Sequence, residues 1–131
     1  MLIQANEVQQ VTNEVMNMLH EDEVEIINNF YTAVKDKDIE KVDELFPEFL
    51  AEIETHFKTE EDMMEQSSYP DAQMHKSDHD AIRKKLEKFK KRWDVLKGPT
   101  ELLGFLEKDF KKWYTQHISK WDSQTALHIG G

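Results

Sequence analysis

Four stretches of this chain carry histidine on the same face as an apolar stripe. The first reads His20, Val24, Ile27, Tyr31, Val34, and the second Leu45, Phe49, Ile53, His56, Glu60, Met63. The third reads His75, His79, Ile82, Leu86, Phe89, Trp93, and the fourth Leu103, Leu106, Phe110, Trp113, His117. Steps of three and four put each set on one side of a helix. A buried polar group that loses water without gaining a hydrogen bond costs about 1–3 kcal/mol in proteins. Five inward histidines and Glu60 therefore restrict the fold strongly. The helices must bring these groups to one place, where something uses their lone pairs.

The punctuation between stripes predicts an all-α, antiparallel up-down-up-down four-helix bundle in a single domain, residues 1–131. The first helix is expected from near residue 6 to about 36, with residues 1–16 as a variable segment that extends it. Lys35-Asp36-Lys37-Asp38 is a polar turn, and Asp38 suits the N-cap of the second helix. That helix runs to about Gln66, with a break or kink expected at Pro47. Ser67-Ser68-Tyr69-Pro70-Asp71 separates it from the third helix, which ends at Gly98-Pro99. The tail, Ser123–Gly131, is expected to fray. Short connections favour antiparallel neighbours, and a bundle core is a place to gather facing side chains.

Composition excludes several chemistries. The chain has no cysteine, so disulfides, thiolate-held clusters and thiol catalysis are absent. A net charge of −10 argues against nucleic acid or an anionic membrane as partner. No stretch is apolar for long enough to span a bilayer, and the N-terminus does not read as a secretory signal, so a cytoplasmic protein is expected. The basic run Arg83, Lys84, Lys85, Lys88, Lys90, Lys91, Arg92 reads as a solvated helix face beside acidic neighbours.

The histidines and carboxylates point to a metal. A lone inward histidine is more often an ordinary core residue, but five together suit transition-metal binding. His20, His56, Glu60, His75, His79, His117 and Asp122 exceed the four donors of a tetrahedral zinc and suit two ions sharing carboxylates. Asp122 follows His117 by five residues, about 140° around an ideal helix, and reaches the same centre only if the helix ends or distorts there. Lys76 after His75 excludes HExxH, and no histidine has glutamate three residues before it, as the Glu-x-x-His di-iron class requires.

The combined pattern resembles the hemerythrin family, in particular its bacterial single-domain form. It consists of His20 ahead of Ile27-Asn28, His56-Phe57-x-x-Glu60-Glu61, Tyr69-Pro70 before His75-x-x-x-His79, and Trp113-x-x-x-His117-Ile118 with Asp122. The resemblance covers about residues 17–122. It implies two iron ions with an oxo or hydroxo bridge, one held by His75, His79 and His117, the other by His20 and His56. Glu60 and Asp122 would bridge them, and O2 would bind reversibly at the open position of the second. Phe57, Trp113, Tyr114 and Ile118 are the expected walls of the O2 pocket. The chain departs from the family before the first histidine, where Asn17, Met18 and Leu19 replace the usual acid and glutamine. It lacks the usual tryptophan-bearing N-terminal arm, and it carries Tyr114 and Thr115 where the family has aliphatic residues. Tyr114 is expected either to reach the O2 pocket through its hydroxyl or to leave that hydroxyl at solvent. The function expected is reversible O2 binding as carrier, store or supplier, without enzymatic activity. The alternatives are an O2, redox or nitric oxide sensor, an iron-handling protein, or a structural bundle. His128 lies outside every motif and is expected to have no role.

Overall fold

In a computed structural model, which describes residues 1–11 and 13–129, three long helices form where the stripes predict them. They are α1 (Glu14–Lys35), α2 (Ile39–Gln66) and α3 (Ala72–Leu96). The Asn13 side chain accepts from Met16 N at 3.1 Å to start α1, and Asp38 accepts from Lys41 N at 3.2 Å to start α2. Each satisfies one of the amide groups that a helix start leaves without a partner. A fourth rod follows as α4 (Pro99–Gly104), α5 (Lys111–His117) and α6 (Ser123–Ile129). Two π turns, Phe105–Phe110 and Ile118–Asp122, join them without a break. No strand occurs among the described residues.

The first two helices stop by the same device. Lys37 N bonds Val34 O at 3.1 Å and Asp38 N bonds Ala33 O at 3.1 Å. Likewise Ser68 N bonds Glu65 O at 3.2 Å and Tyr69 N bonds Met64 O at 3.0 Å. These are Schellman closures, which need one left-handed residue. Lys37 (φ 56°) and Ser68 (φ 53°) occupy that position in place of the usual glycine. At the end of α3 the left-handed residue is Lys97 (φ 48°), while Gly98 is extended and leads into Pro99.

Contacts between rods fix the topology. Asp43 accepts from Trp93 Nε1 at 2.7 Å, and Glu61 faces His79 Nδ1 at 2.8 Å, so α2 and α3 run in opposite directions. Tyr31 donates to Glu107 at 2.6 Å, and His20 lies 2.9 Å from Asp122, so α1 is antiparallel to the fourth rod. Phe89 stacks on Phe105 at 4.2 Å, while His75 meets Thr125 at 2.7 Å, which sets α3 antiparallel to that rod. The beginnings of α1 and α3 and the ends of α2 and the fourth rod consequently share one end of the bundle. At the opposite end Phe30, Phe46, Phe49 and Phe110 pack ring to ring, with Phe30 and Phe49 stacked at 4.7 Å. Such pairs add about 0.5–1.5 kcal/mol each beyond the area they bury.

Two expectations are corrected. Residues 1–11 do not extend α1. They form an irregular arm with one 3-10 turn, Ala5–Glu7, that buries Leu2, Ile3, Val8 and Val11. Two asparagine side chains hold this arm. Asn28 bonds Ile3 N and O at 2.9 Å each, and Asn17 bonds Val11 N and O at 2.9 and 2.8 Å. The chain from Ser123 does not fray: it is α6, with Thr125 and Ala126 buried. Gly130 and Gly131 lie outside the described residues. Of the two outcomes expected at Pro47, the break does not occur: α2 continues through it, and Pro47 sits on the exposed face. His128 Nε2 reaches Ser67 O at 3.2 Å and ties α6 to the turn after α2.

The basic face of α3 is laced to acids as expected. Arg83 pairs with Glu54 at 2.9 Å, Lys90 with Asp94 at 2.6 Å, and Arg92 with Glu101. No helix among the described residues is long and apolar enough to cross a membrane.

Two outcomes follow for stability. Glycine at position 37 or 68 removes the left-handed penalty of about 1–2 kcal/mol, partly offset by the greater freedom of unfolded glycine, about 0.5–1 kcal/mol. Lys37→Gly and Ser68→Gly are therefore each expected to raise the urea midpoint of the metal-free chain. Asn17→Ala leaves the Val11 amide and carbonyl without their partners and is expected to cost about 1–3 kcal/mol. The measurement is a lower midpoint at unchanged slope in the same titration.

Candidate metal centre

The shared end of the bundle gathers all seven candidate ligands in a dry core. His20, His56, Glu60, His75, His79, His117 and Asp122 are all buried. Each comes from the stripe the sequence marks: His20 from α1, His56 and Glu60 one turn apart on α2, His75 and His79 one turn apart on α3. His117 closes α5, and Asp122 closes the π turn that follows. That turn supplies the distortion Asp122 requires. A π turn closes over five residues instead of four, so Asp122 returns to the face His117 occupies.

The donors sort into two sets that share both carboxylates. Glu60 Oε1 lies 3.2 Å from His75 Nε2 and 3.0 Å from His79 Nε2. Asp122 Oδ1 lies 3.0 Å from His75 Nε2 and 2.9 Å from His117 Nε2. The other two oxygens face the other way. Glu60 Oε2 is 2.6 Å from His56 Nε2, and Asp122 Oδ2 is 2.9 Å from His20 Nε2 and 3.2 Å from His56 Nε2. Within each set, one donor atom per residue lies within 4.8 Å of every other. Each carboxylate thus gives one oxygen to a three-imidazole set and one to a two-imidazole set.

Groups behind the imidazoles fix which nitrogen points inward. His56 Nδ1 lies 2.8 and 2.7 Å from the two oxygens of Glu23. His79 Nδ1 meets Glu61 at 2.8 Å, His117 Nδ1 meets Asp78 at 2.5 Å, and His75 Nδ1 meets Thr125 Oγ1 at 2.7 Å. A carboxylate only accepts, so His56, His79 and His117 donate from Nδ1 and, when neutral, keep a bare lone pair on Nε2. His20 Nδ1 has no hydrogen-bond partner among the described residues. Of these supports, Glu23 and Thr125 carry no motif signal. Glu23 lies three residues after His20, on the stripe position the sequence assigns to Val24. Thr125 falls in the stretch expected to fray.

The donor set fits metal ions. His75 and His79 bring Nε2 to 3.1 Å from His117 Nε2, an approach that two bare lone pairs resist unless a cation lies between them. Without metal, the carboxylates favour protons on some of these imidazoles. Burial opposes charge on His56 and His117, but Glu23 and Glu60 around the first and Asp122 beside the second outweigh it, holding both well above the ordinary imidazole range. Burial likewise opposes the Glu60 carboxylate, yet His56 and the other imidazoles hold it well below its usual range, as they do Asp122. Burial pushes His79 down, only partly opposed by Glu60. Imidazole with carboxylate and no thiolate suits iron and its first-row neighbours.

The expected pocket residues line this end. Phe57 stacks on the His79 ring at 4.1 Å, and Trp113 stacks on the His117 ring at 4.6 Å. Ile118 is fully buried beside His117 in sequence. Tyr114 does not carry its hydroxyl to solvent: the group is buried and donates to Glu23 Oε1 at 2.6 Å.

Comparison with known proteins agrees with this geometry. The model of the hemerythrin HHE cation-binding domain matches residues 11–126. Bacteriohemerythrin from Aquifex aeolicus (strain VF5) is 39% identical over 130 residues, covering 99% of each chain. No solved structure gives a significant match. With a family match across nearly the whole bundle and a buried cluster of histidine, glutamate and aspartate in its core, the chain belongs to the hemerythrin family.

Proposed function

We propose that this chain holds a non-haem di-iron centre and binds O2 reversibly, as carrier, store or supplier rather than as an enzyme. The observation that supports this best is the split of five imidazoles into three and two around shared carboxylates. In this reading His75, His79 and His117 hold one iron and His20 and His56 hold the other. Glu60 and Asp122 would lend oxygens to both, and the two-imidazole set, with fewer donors, would leave room for a ligand. Two ferrous ions supply, when bound, a pair of electrons and a vacant site for O2.

The remaining work belongs to the chain. Glu23, Glu61 and Asp78 hold the Nδ1 protons of His56, His79 and His117, so the inward nitrogens stay free to ligate. Phe57, Trp113 and Ile118, with the ring of Tyr114, exclude water around the donors. The name of the Aquifex relative supports the O2-binding reading.

Anaerobic loading with ferrous iron followed by O2 titration tests it. The expected result is two irons per chain and an absorption change that deoxygenation reverses over repeated cycles. Oxidation that completes in one cycle and does not reverse would instead assign the centre to redox, O2 or nitric oxide sensing. A chain that takes up no iron would overturn both readings. Metal analysis of variants separates the two positions: His20→Ala is expected to keep one iron, whereas Asp122→Ala is expected to weaken both.

A further inference from the structure

Among the carboxylates behind the imidazoles, one is built differently. Glu61 and Asp78 are carboxylates near the surface, with side chains 20% and 27% exposed. Glu23 is 0% exposed and faces two donors on two other rods: His56 Nδ1 on α2, and the Tyr114 hydroxyl on α5 at 2.6 Å. Tyr114 is itself 1% exposed, its ring stacked beside Phe110 at 5.8 Å. A carboxylate withdrawn from water is costly unless its oxygens are hydrogen-bonded, and charge-assisted bonds of this length are the strong kind. The arrangement locks three side chains together. Packing fixes the tyrosine ring, the tyrosine hydroxyl fixes the Glu23 rotamer, and Glu23 fixes both the tautomer and the rotation of the His56 ring. A hydroxyl committed to Glu23 is not free to point at a ligand of the centre. Its route to the centre runs through His56.

We infer that Glu23 and Tyr114 are positioning residues for the two-imidazole half of the centre, with Tyr114 acting on His56 through Glu23. This rests on the metal reading for its consequence, but the hydrogen-bond chain exists without metal and is tested separately. Loss of a carboxylate behind a ligating histidine typically weakens metal binding about 10–100-fold. Only one of the two ions touches His56, so only one is affected.

The test uses the full chain as Glu23→Ala, Glu23→Gln, Tyr114→Phe and Glu23→Ala with Tyr114→Phe. Iron affinity is read by equilibrium competition with a chelator. The expected result for Glu23→Ala is loss of affinity at one ion by about 10–100-fold, with the other unchanged. Glu23→Gln, whose amide oxygen still accepts from His56, restores part of it. Tyr114→Phe gives a smaller loss at the same ion, and none further when Glu23 is already alanine. In the metal-free chain labelled with 15N-histidine, the His56 Nδ1–H resonance is expected far downfield, displaced by Tyr114→Phe and lost in Glu23→Ala. Equal losses at both ions, a Tyr114→Phe effect of the same size in both backgrounds, or a His56 resonance indifferent to Tyr114 would overturn the inference. If the native chain takes up no iron, the functional reading falls, and the resonance in the metal-free chain alone decides this one. If Glu23→Ala fails to fold, Tyr114→Phe and Glu23→Gln carry the same comparison.

Discussion

Bare imidazole nitrogens and carboxylate oxygens crowd one another at the end of this bundle, and that mutual repulsion governs the rest of the structure. Nothing in an apolar core offsets such a set of acceptors. In the metal-free chain the surrounding carboxylates favour protons on His56 and His117, which they hold well above the ordinary imidazole range. Cations would do the same with more charge and fixed directions, and their binding to the folded state alone is then part of its stability. The aromatic half supplies the complement. Phe30, Phe46, Phe49 and Phe110 form a dry cluster with no polar demand, which lets the other end carry one. Two kinds of core share a single set of four rods, and the antiparallel order is what keeps them apart.

The fourth rod shows how local backbone serves the centre. An uninterrupted α-helix would send Asp122 away from His117. The π turn at Ile118–Asp122 brings it back, and the helix then resumes as α6 instead of ending. Because it resumes, Thr125 reaches the outer nitrogen of His75, and His128 reaches the turn after α2. The earlier π turn at Phe105–Phe110 carries Phe105, Leu106 and Phe110 into the core together. Widened turns are uncommon and concentrate at functional positions. Here they let one rod serve a metal-binding face and an aromatic face whose positions do not share a strict helical period.

Periodicity in the sequence carried the bundle and the convergence of six of the seven donors, because each depends on which face of a helix a residue occupies; turn residues carried the boundaries of α2 and α3, and Asp122 depended on a distortion that periodicity does not show. Features set by contacts distant in sequence were not legible. The turns at Lys37 and Ser68 were legible, but not their left-handed conformation, since neither is the glycine that would have signalled it. The arm is held by Asn17 and Asn28, whose amides bond backbone they meet only after folding. Glu23 is charged and next to Val24, so on periodicity alone the valine is the natural choice for the core. The partners that reverse this, His56 and Tyr114, lie on other rods. The family resemblance pointed to Tyr114 as unusual, but not to the carboxylate that gives the tyrosine its partner.

The two halves of the centre also differ in how their electrostatics couple to water. Behind the three-imidazole set, Glu61 and Asp78 stand close to the surface, and Arg83 pairs with Glu61 at 2.9 Å while lying over the Phe57 ring at 5.0 Å. Charge there is shared with solvent and with the Arg83 guanidinium, so changes on that flank are damped by screening. Behind the two-imidazole set, the charge of Glu23 is sealed between rods, where the effective dielectric is low and each interaction is correspondingly larger. A substitution of equal size therefore acts unequally on the two flanks. The half with fewer imidazoles, which the functional reading leaves open to a ligand, is the half in which one imidazole, His56, is backed by a carboxylate sealed in the interior.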